Sequence, residues 1–215
     1  MKKIGLVIAT TLLTIATANG LTAAEDCNSK TPTFGNNLGK VSFMTPQIWA
    51  VGKQTWSDVV IAENCQKTTF NGIHEDGSFN ADCRMNEGYG DLFSWCAIAR
   101  FQNQLCPAPW RVPTVQDFID LDIAMGGDGT NRNSPELATL IQNTYLNPNV
   151  WGGTRLGGYC RPDGTLDHRG NGSLYWSKSE ENATHAYYLS FSGIGRARPK
   201  LGFNKTVGFA LRCVR

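Results

Sequence analysis

Residues 175–191 read "YWSKSEENATHAYYLSF". The run opens on an aromatic pair, passes through a polar, acidic, amide-rich stretch, and ends in alternation that puts Tyr187, Leu189 and Phe191 on one face. Two strands joined by a polar turn are expected, with the second strand facing a core. The closing "VGFALRCVR" repeats the pattern, with Val207, Phe209, Leu211 and Cys213 on one face. Both belong in an antiparallel sheet at the C-terminal end of the fold. Whether the turn after Trp176 binds something or only feeds the core strand is the functional question.

Upstream, helices are expected. Thr114 can cap one, with Asp117 where a capping box puts its acid, and Val115, Phe118 and Ile119 form a stripe opposite Asp117 and Asp120. Gly126 and Gly127 stop it. Ser134 caps a second, with Pro135 and Glu136 in its first turn and Leu137, Leu140 and Ile141 inward; it should end before Pro148. A stretch from 91 to 104 places Leu92, Trp95, Cys96 and Ala99 at helical spacing. "VSFMTPQIWAVGKQTW" (41–56) reads as two short strands around Pro46 and Gly52, with Trp49 and Trp56 as packing residues. Between helix two and the last strands lies a glycine-rich segment from Trp151 to Leu174, too long for a simple turn and too polar to be buried. Helices followed by antiparallel strands give an α+β class.

Lys2 and Lys3 precede an uncharged stretch from Ile4 to Ala18 and small residues through Ala24, the pattern of a secretory signal peptide over 1–23, with cleavage after Ala18 or Ala23. A membrane anchor fits less well, because a spanning helix needs about 20 firmly apolar residues. Acidic Glu25-Asp26 before Cys27 argues against lipid attachment. Residues 24–40 read as a flexible lead-in, and 41–215 as one domain. The formal net charge of +2 equals the two lysines of the leader, so the mature chain is near neutral and nucleic-acid binding driven by net charge is not expected. Seven cysteines in an exported chain point to disulfides rather than metal ligands. The odd number leaves one over, and Cys27 is the candidate.

"VGKQTWSDVVIAENC", "DCRMNEGYGDLFSW", "CPAPWRVPTVQDFIDL", "YWSKSEENATHAYYLSF" and the final "GFALRCVR" occur in the order and spacing of the Fibrobacter succinogenes major paralogous domain, which the chain resembles over 41–215. The motifs of that family are similar to V-G-x-Q-x-W, C-x-x-Y-G-x-L-Y-x-W, C-P-x-G-W-x-V-P, W-W-S-S and V-R-C-V. This chain departs at Ala108-Pro109, Tyr175 and Lys178, and has additional cysteines at 96 and 160. The resemblance implies a C-type lectin-like fold, shared with formylglycine-generating-type domains and a Legionella collagen-like adhesin domain, in an exported or surface-displayed protein of Bacteroidetes-like bacteria. It implies Cys106 with Cys213 as a disulfide. Cys65 with Cys83 would close the acidic loop and Cys96 with Cys160 would remain, although sequence alone leaves connectivity open. Each bridge would stabilise by about 2 to 4 kcal/mol.

Sugar-binding lectins of that fold hold calcium through E-P-N or Q-P-D and W-N-D tripeptides. None stands here, and Lys178 follows Trp176-Ser177 where an anionic ligand would sit, so a calcium-sugar site is not expected. A calcium-independent surface is: Asp163, Asp167, His168, Arg169 and Asn171 in the long loop and Glu180, Glu181 and Asn182 after Trp176 offer donors and acceptors, with Tyr159, Tyr175 and Trp176 as aromatic faces. Solvated loop residues capping their own turns are the plainer alternative. Asp76, Ser78, Asn80, Asp82 and Glu87 follow a calcium-loop spacing, but Ala81 replaces the turn glycine and Cys83 falls inside, so calcium is only a weak candidate cofactor. With no G-x-S-x-G elbow and no H-E-x-x-H helix, catalysis is not expected. The expected activity is a surface or secreted binding module for a glycan or a surface protein. The alternatives are a structural, fimbrial or envelope subunit and, third, a formylglycine-generating-type enzyme, for which Cys213 would have to be a reactive thiol.

Overall fold

The computed structural model describes residues 48–58, 92–152, 156–163 and 165–215. The expected signal peptide and lead-in, Cys27, the expected Cys65–Cys83 pair and the Asp76–Glu87 stretch all lie outside the described residues. The elements run β1 (Ile48–Val51), β2 (Gln54–Asp58), β3 (Phe93–Ser94), α1 (Trp95–Leu105), α2 (Val115–Ala124), β4 (Arg132–Asn133), a 3-10 turn Pro135–Leu137, α3 (Ala138–Asn143), β5 (Tyr159–Cys160), β6 (Leu166–Asp167), β7 (Ser173–Glu180), β8 (His185–Ser192), β9 (Arg196–Asn204), β10 (Gly208–Phe209) and β11 (Arg212–Val214). The class is α+β, with every strand pair of the sheets antiparallel.

Three sheets form, ordered β1-β2-β11, β3-β10-β5-β6 and β4-β9-β8-β7. The last is buried on both faces, which is why Tyr175 and Trp176, successive residues pointing opposite ways, are both in the core. On one face Tyr175, Leu189 and Phe191 join Trp56, Phe118, Leu121, Tyr145 and Trp151. On the other Trp176, Ala186 and Tyr188 join Trp95, Ile98, Phe209 and Cys213. The expected face of β8 is present, with Tyr187 half-buried at its open end. The closing run is split into β10 and β11, yet Val207, Phe209, Leu211 and Cys213 are all buried as their alternation implied.

The helix signals fare similarly. Thr114 and Asp117 form the capping box. At the other end Gly126 takes φ 89°, and the amides of Gly126 and Gly127 return to Ile123 and Asp122 carbonyls at 3.0 and 2.8 Å, a Schellman stop that only glycine adopts without strain. The buried face is different from the expected one. Asp117, Phe118, Leu121 and Asp122 point inward while Ile119 is half-buried, because each carboxylate has a cation to meet. Asp117 takes Arg111 at 2.6 Å and Asp122 takes Arg132 at 2.8 Å. The second expected helix begins as a 3-10 turn capped by Ser134 and buries only Ile141.

Arg212 on β11 lies over the rings of Trp49 and Trp151, 4.1 and 4.3 Å from their centroids. It donates to the Trp151 and Gly152 carbonyls. Gly152 (φ 66°) is pressed against the Trp49 indole, where any Cβ would overlap the ring. Cys106 and Cys213 are joined, with Cα atoms 5.5 Å apart. Cys96 and Cys160 are also disulfide-bonded.

Candidate functional site

The turn of residues 180–185 is first of all a hairpin lock. Asn182 Oδ1 accepts from the Thr184 and His185 amides at 2.9 Å each, an Asx cap on the turn. From beneath, Lys205 donates to Glu180 Oε2 at 3.0 Å and to the Asn182 and Ala183 carbonyls at 2.9 and 3.0 Å. Its ammonium also lies 4.5 Å from the Trp95 ring centroid. A lysine that is 2% exposed is tolerated because all three N–H donors and the charge have partners. Replacing Lys205 by Met keeps the stem but orphans one carboxylate and two carbonyls, so a loss of about 2–3 kcal/mol is expected in urea unfolding. A loss below about 0.5 kcal/mol would show the lock to be dispensable.

Several expected ligand contacts are thereby corrected. Tyr175 and Trp176 are core residues, the latter donating its indole N–H to the Phe93 carbonyl at 3.0 Å. Glu180 and Asn182 are occupied inside the turn. Glu181 is exposed, but its carboxylate lies where a Cβ of Gly202 would project. Gly202 pairs with Tyr187, so Glu181 is on the Tyr187 side of the sheet.

The long-loop residues form a different surface, on the Tyr188 side. "CRPDGTLD" folds into the β5–β6 hairpin, where Asp163 Oδ1 accepts from the Thr165 amide and hydroxyl at 2.9 and 2.8 Å, and the Arg161 amide donates to the Thr165 carbonyl at 2.8 Å. Asp163 is thus a turn cap. Asp167 is the centre of a polar cluster: Tyr159 Oη donates to its Oδ2 at 3.0 Å, Arg161 Nε donates to the same oxygen at 3.0 Å, and His168 Nδ1 lies 2.9 Å from Oδ1. Above all the Arg161 hydrogen bond holds the Asp167 carboxyl at about 2 instead of 3.8. A depressed carboxyl contributes above its unfolded value and loses that contribution as pH falls from 3.8 toward 2, so the Asp167 carboxylate is ionised at neutral pH.

His168 takes φ 58°, which turns its ring beside Tyr159, 5.5 Å between centroids. Tyr159 also meets Phe203 at 6.2 Å and Phe209 at 6.0 Å, and Phe203 is 37% exposed. Arg169 and Asn171 are exposed just beyond. The result is a shelf of aromatic edges, Tyr159, His168 and Phe203, rimmed by the Arg161–Asp167 ion pair.

Sequence reasoning brought Tyr159, Asp167 and His168 together and missed Arg161, Phe203 and Lys205. Pro162-Asp163-Gly164 was the available signal, since such a tripeptide in sequence favours a tight turn between Arg161 and Asp167. Among the described residues no group of three or more His, Cys, Asp or Glu side chains is placed to hold a metal ion. No helix among them is long and apolar enough to cross a membrane.

These features define a disulfide-bonded α+β domain whose polar hairpin rests on an aromatic shelf. The chain belongs to the Fibrobacter succinogenes major domain family, whose family model matches residues 50–215. No curated protein and no solved structure matches it.

Proposed function

We propose that this protein is an exported binding module that engages a glycan or a surface protein, without calcium, through the β5–β6 hairpin and the shelf beside it. The observation that carries the reading is the Tyr159–Arg161–Asp167–His168 cluster, a preorganised polar group next to exposed aromatic edges. Sugars offer apolar C–H faces to aromatic rings and hydroxyls to charged groups, and a rigid site limits the entropy lost on binding. A C-type lectin-like scaffold is supported by the pairing of β11 with β2 and by the irregular segment between α3 and β7, where such folds display ligand loops. A formylglycine-generating-type enzyme would need a reactive thiol at Cys213, and that buried sulfur bonded to Cys106 weighs against it.

The test is a glycan-array screen of the oxidised domain, with calcium and with chelator, beside the variant in which Asp167, His168 and Arg169 are all alanine. Binding is expected to survive chelation and to be abolished in the triple variant while Tm stays within about 3 °C. Equal loss of binding and of Tm would overturn the assignment. Silence of the wild type in both conditions would remove the glycan reading in favour of a structural, fimbrial or envelope subunit.

A further inference from the structure

β9 carries an arginine that no acid among the described residues pairs with. Arg198 is half-buried and pairs with Ser190 of β8, while two residues back Tyr188 pairs with Leu201. Residues i and i+2 of a strand share a face, and cross-strand partners share it too. Between these two pairs the register shifts by one extra residue of β9, a bulge that lets Arg198 and Leu201, three residues apart, share the face of Ser190 and Tyr188. Arg198, Ser190, Tyr188, Leu201 and Phe203 therefore lie on one side of the sheet, the side that Tyr159 covers from the β5–β6 hairpin. Arg111, Arg132, Arg161 and Arg212 all have carboxylate partners. Arg198 has neither an ion pair nor a hydrogen bond among the described residues. The Tyr188 ring is wedged 4.8 Å from Phe209 and 6.0 Å from Phe203, and its hydroxyl likewise has no hydrogen-bond partner among them.

We infer that this face, floored by Tyr188 and flanked by Arg198, Ser190, Tyr159 and Phe203, takes an acidic saccharide, Arg198 meeting the sugar carboxylate and the aromatic edges meeting the ring. The inference rests on the binding reading above and names its ligand class. A guanidinium matches a carboxylate with two parallel hydrogen bonds. Ser190 and Tyr188 supply neutral hydroxyls for sugar oxygens. Burial pushes the Tyr188 phenol up to about 12, so it stays a donor at neutral pH; Arg198 and Tyr159 are the neighbouring groups that act on it. The ring shelf favours a pyranose over a bare anion, which would need no aromatic surface.

The experiment is an array of uronate- and sialate-bearing glycans printed beside their carboxyl-reduced counterparts, probed with wild type, R198Q and R198K. Wild type is expected to bind the acidic member of at least one pair about tenfold more tightly, a charge-assisted bidentate contact being worth about that much. R198Q should bring the acidic member down to the level of the neutral one with Tm unchanged, and R198K should restore part of the difference. Equal binding of acidic and neutral members by wild type, or a preference that persists in R198Q, overturns the inference and leaves the binding reading standing. No binding to either member overturns both this inference and the glycan form of the binding reading.

Discussion

Replacing Asp122 by alanine is expected to cost about 3–5 kcal/mol, the largest loss we anticipate from a single substitution outside the aromatic core. Its carboxylate is fully buried and accepts four hydrogen bonds from three groups at once. Arg132 Nη2 donates to both oxygens at 2.8 and 2.9 Å, the Tyr145 hydroxyl at 2.7 Å and the Gly129 amide at 2.9 Å. Alanine strands a guanidinium and a buried phenol in low dielectric, and what is lost is their solvation rather than one contact. Burial, and after it the Asp122 charge, push the Tyr145 phenol well above 10, so the phenol is a permanent donor and cannot compensate by ionising. Asp122→Asn keeps an acceptor for Tyr145 and should cost about half as much. Urea unfolding measures both, and a cost below about 1 kcal/mol for alanine would mean that water replaces the carboxylate without penalty.

Asp122 also shows what sequence could not reveal. Helix α2 was legible from its caps, because Thr114, Asp117, Gly126 and Gly127 act on backbone groups within one or two turns of themselves. Its buried face was not, because an acid turns inward only when a cation from elsewhere meets it, and Arg132 lies ten residues away across a loop. The same division governs the site. Alternation in 187–191 and 207–213 put Leu189, Phe191, Val207, Phe209, Leu211 and Cys213 in the core, where they are, but it left out Tyr188, which is buried on the opposite face. That Tyr175 and Trp176 are both interior could not be read from period 2, which assigns one face to solvent, and followed only from a sheet covered on both sides. The turn after Trp176 was read as a possible ligand loop, and its status depends on Lys205, more than twenty residues distant. Tyr159, Asp167 and His168 were found because the hairpin that unites them is local. Arg198 escaped because its meaning lies in lacking the partner its neighbours have.

Removing the Cys106–Cys213 bond by changing both residues to alanine should cost about 4–5 kcal/mol, by a route unlike that of Asp122. The bridge spans 107 residues of sequence, and a loop of that size withdraws much of the freedom of the unfolded chain. The loss therefore arises mainly in the unfolded state, which expands and exposes more surface, so the urea m-value should rise as the midpoint falls. Asp122→Ala should lower the midpoint with m unchanged. The native state also has something at stake. Cys213 sits on β11 opposite Ser57, next to Arg212 stacked on Trp49 and Trp151, so the bond ties the segment after α1 to the strand that closes the first core. Because other cysteines are bonded too, reduction of the whole protein would mix several effects, and the double variant isolates this one. A non-reduced peptide map must first contain the linked peptides of Cys106 and Cys213. If the map contains them and the variant loses less than about 1 kcal/mol with no change in m, the unfolded chain is already held compact by its remaining bridges, and the stabilising weight assigned here to this bond belongs to them.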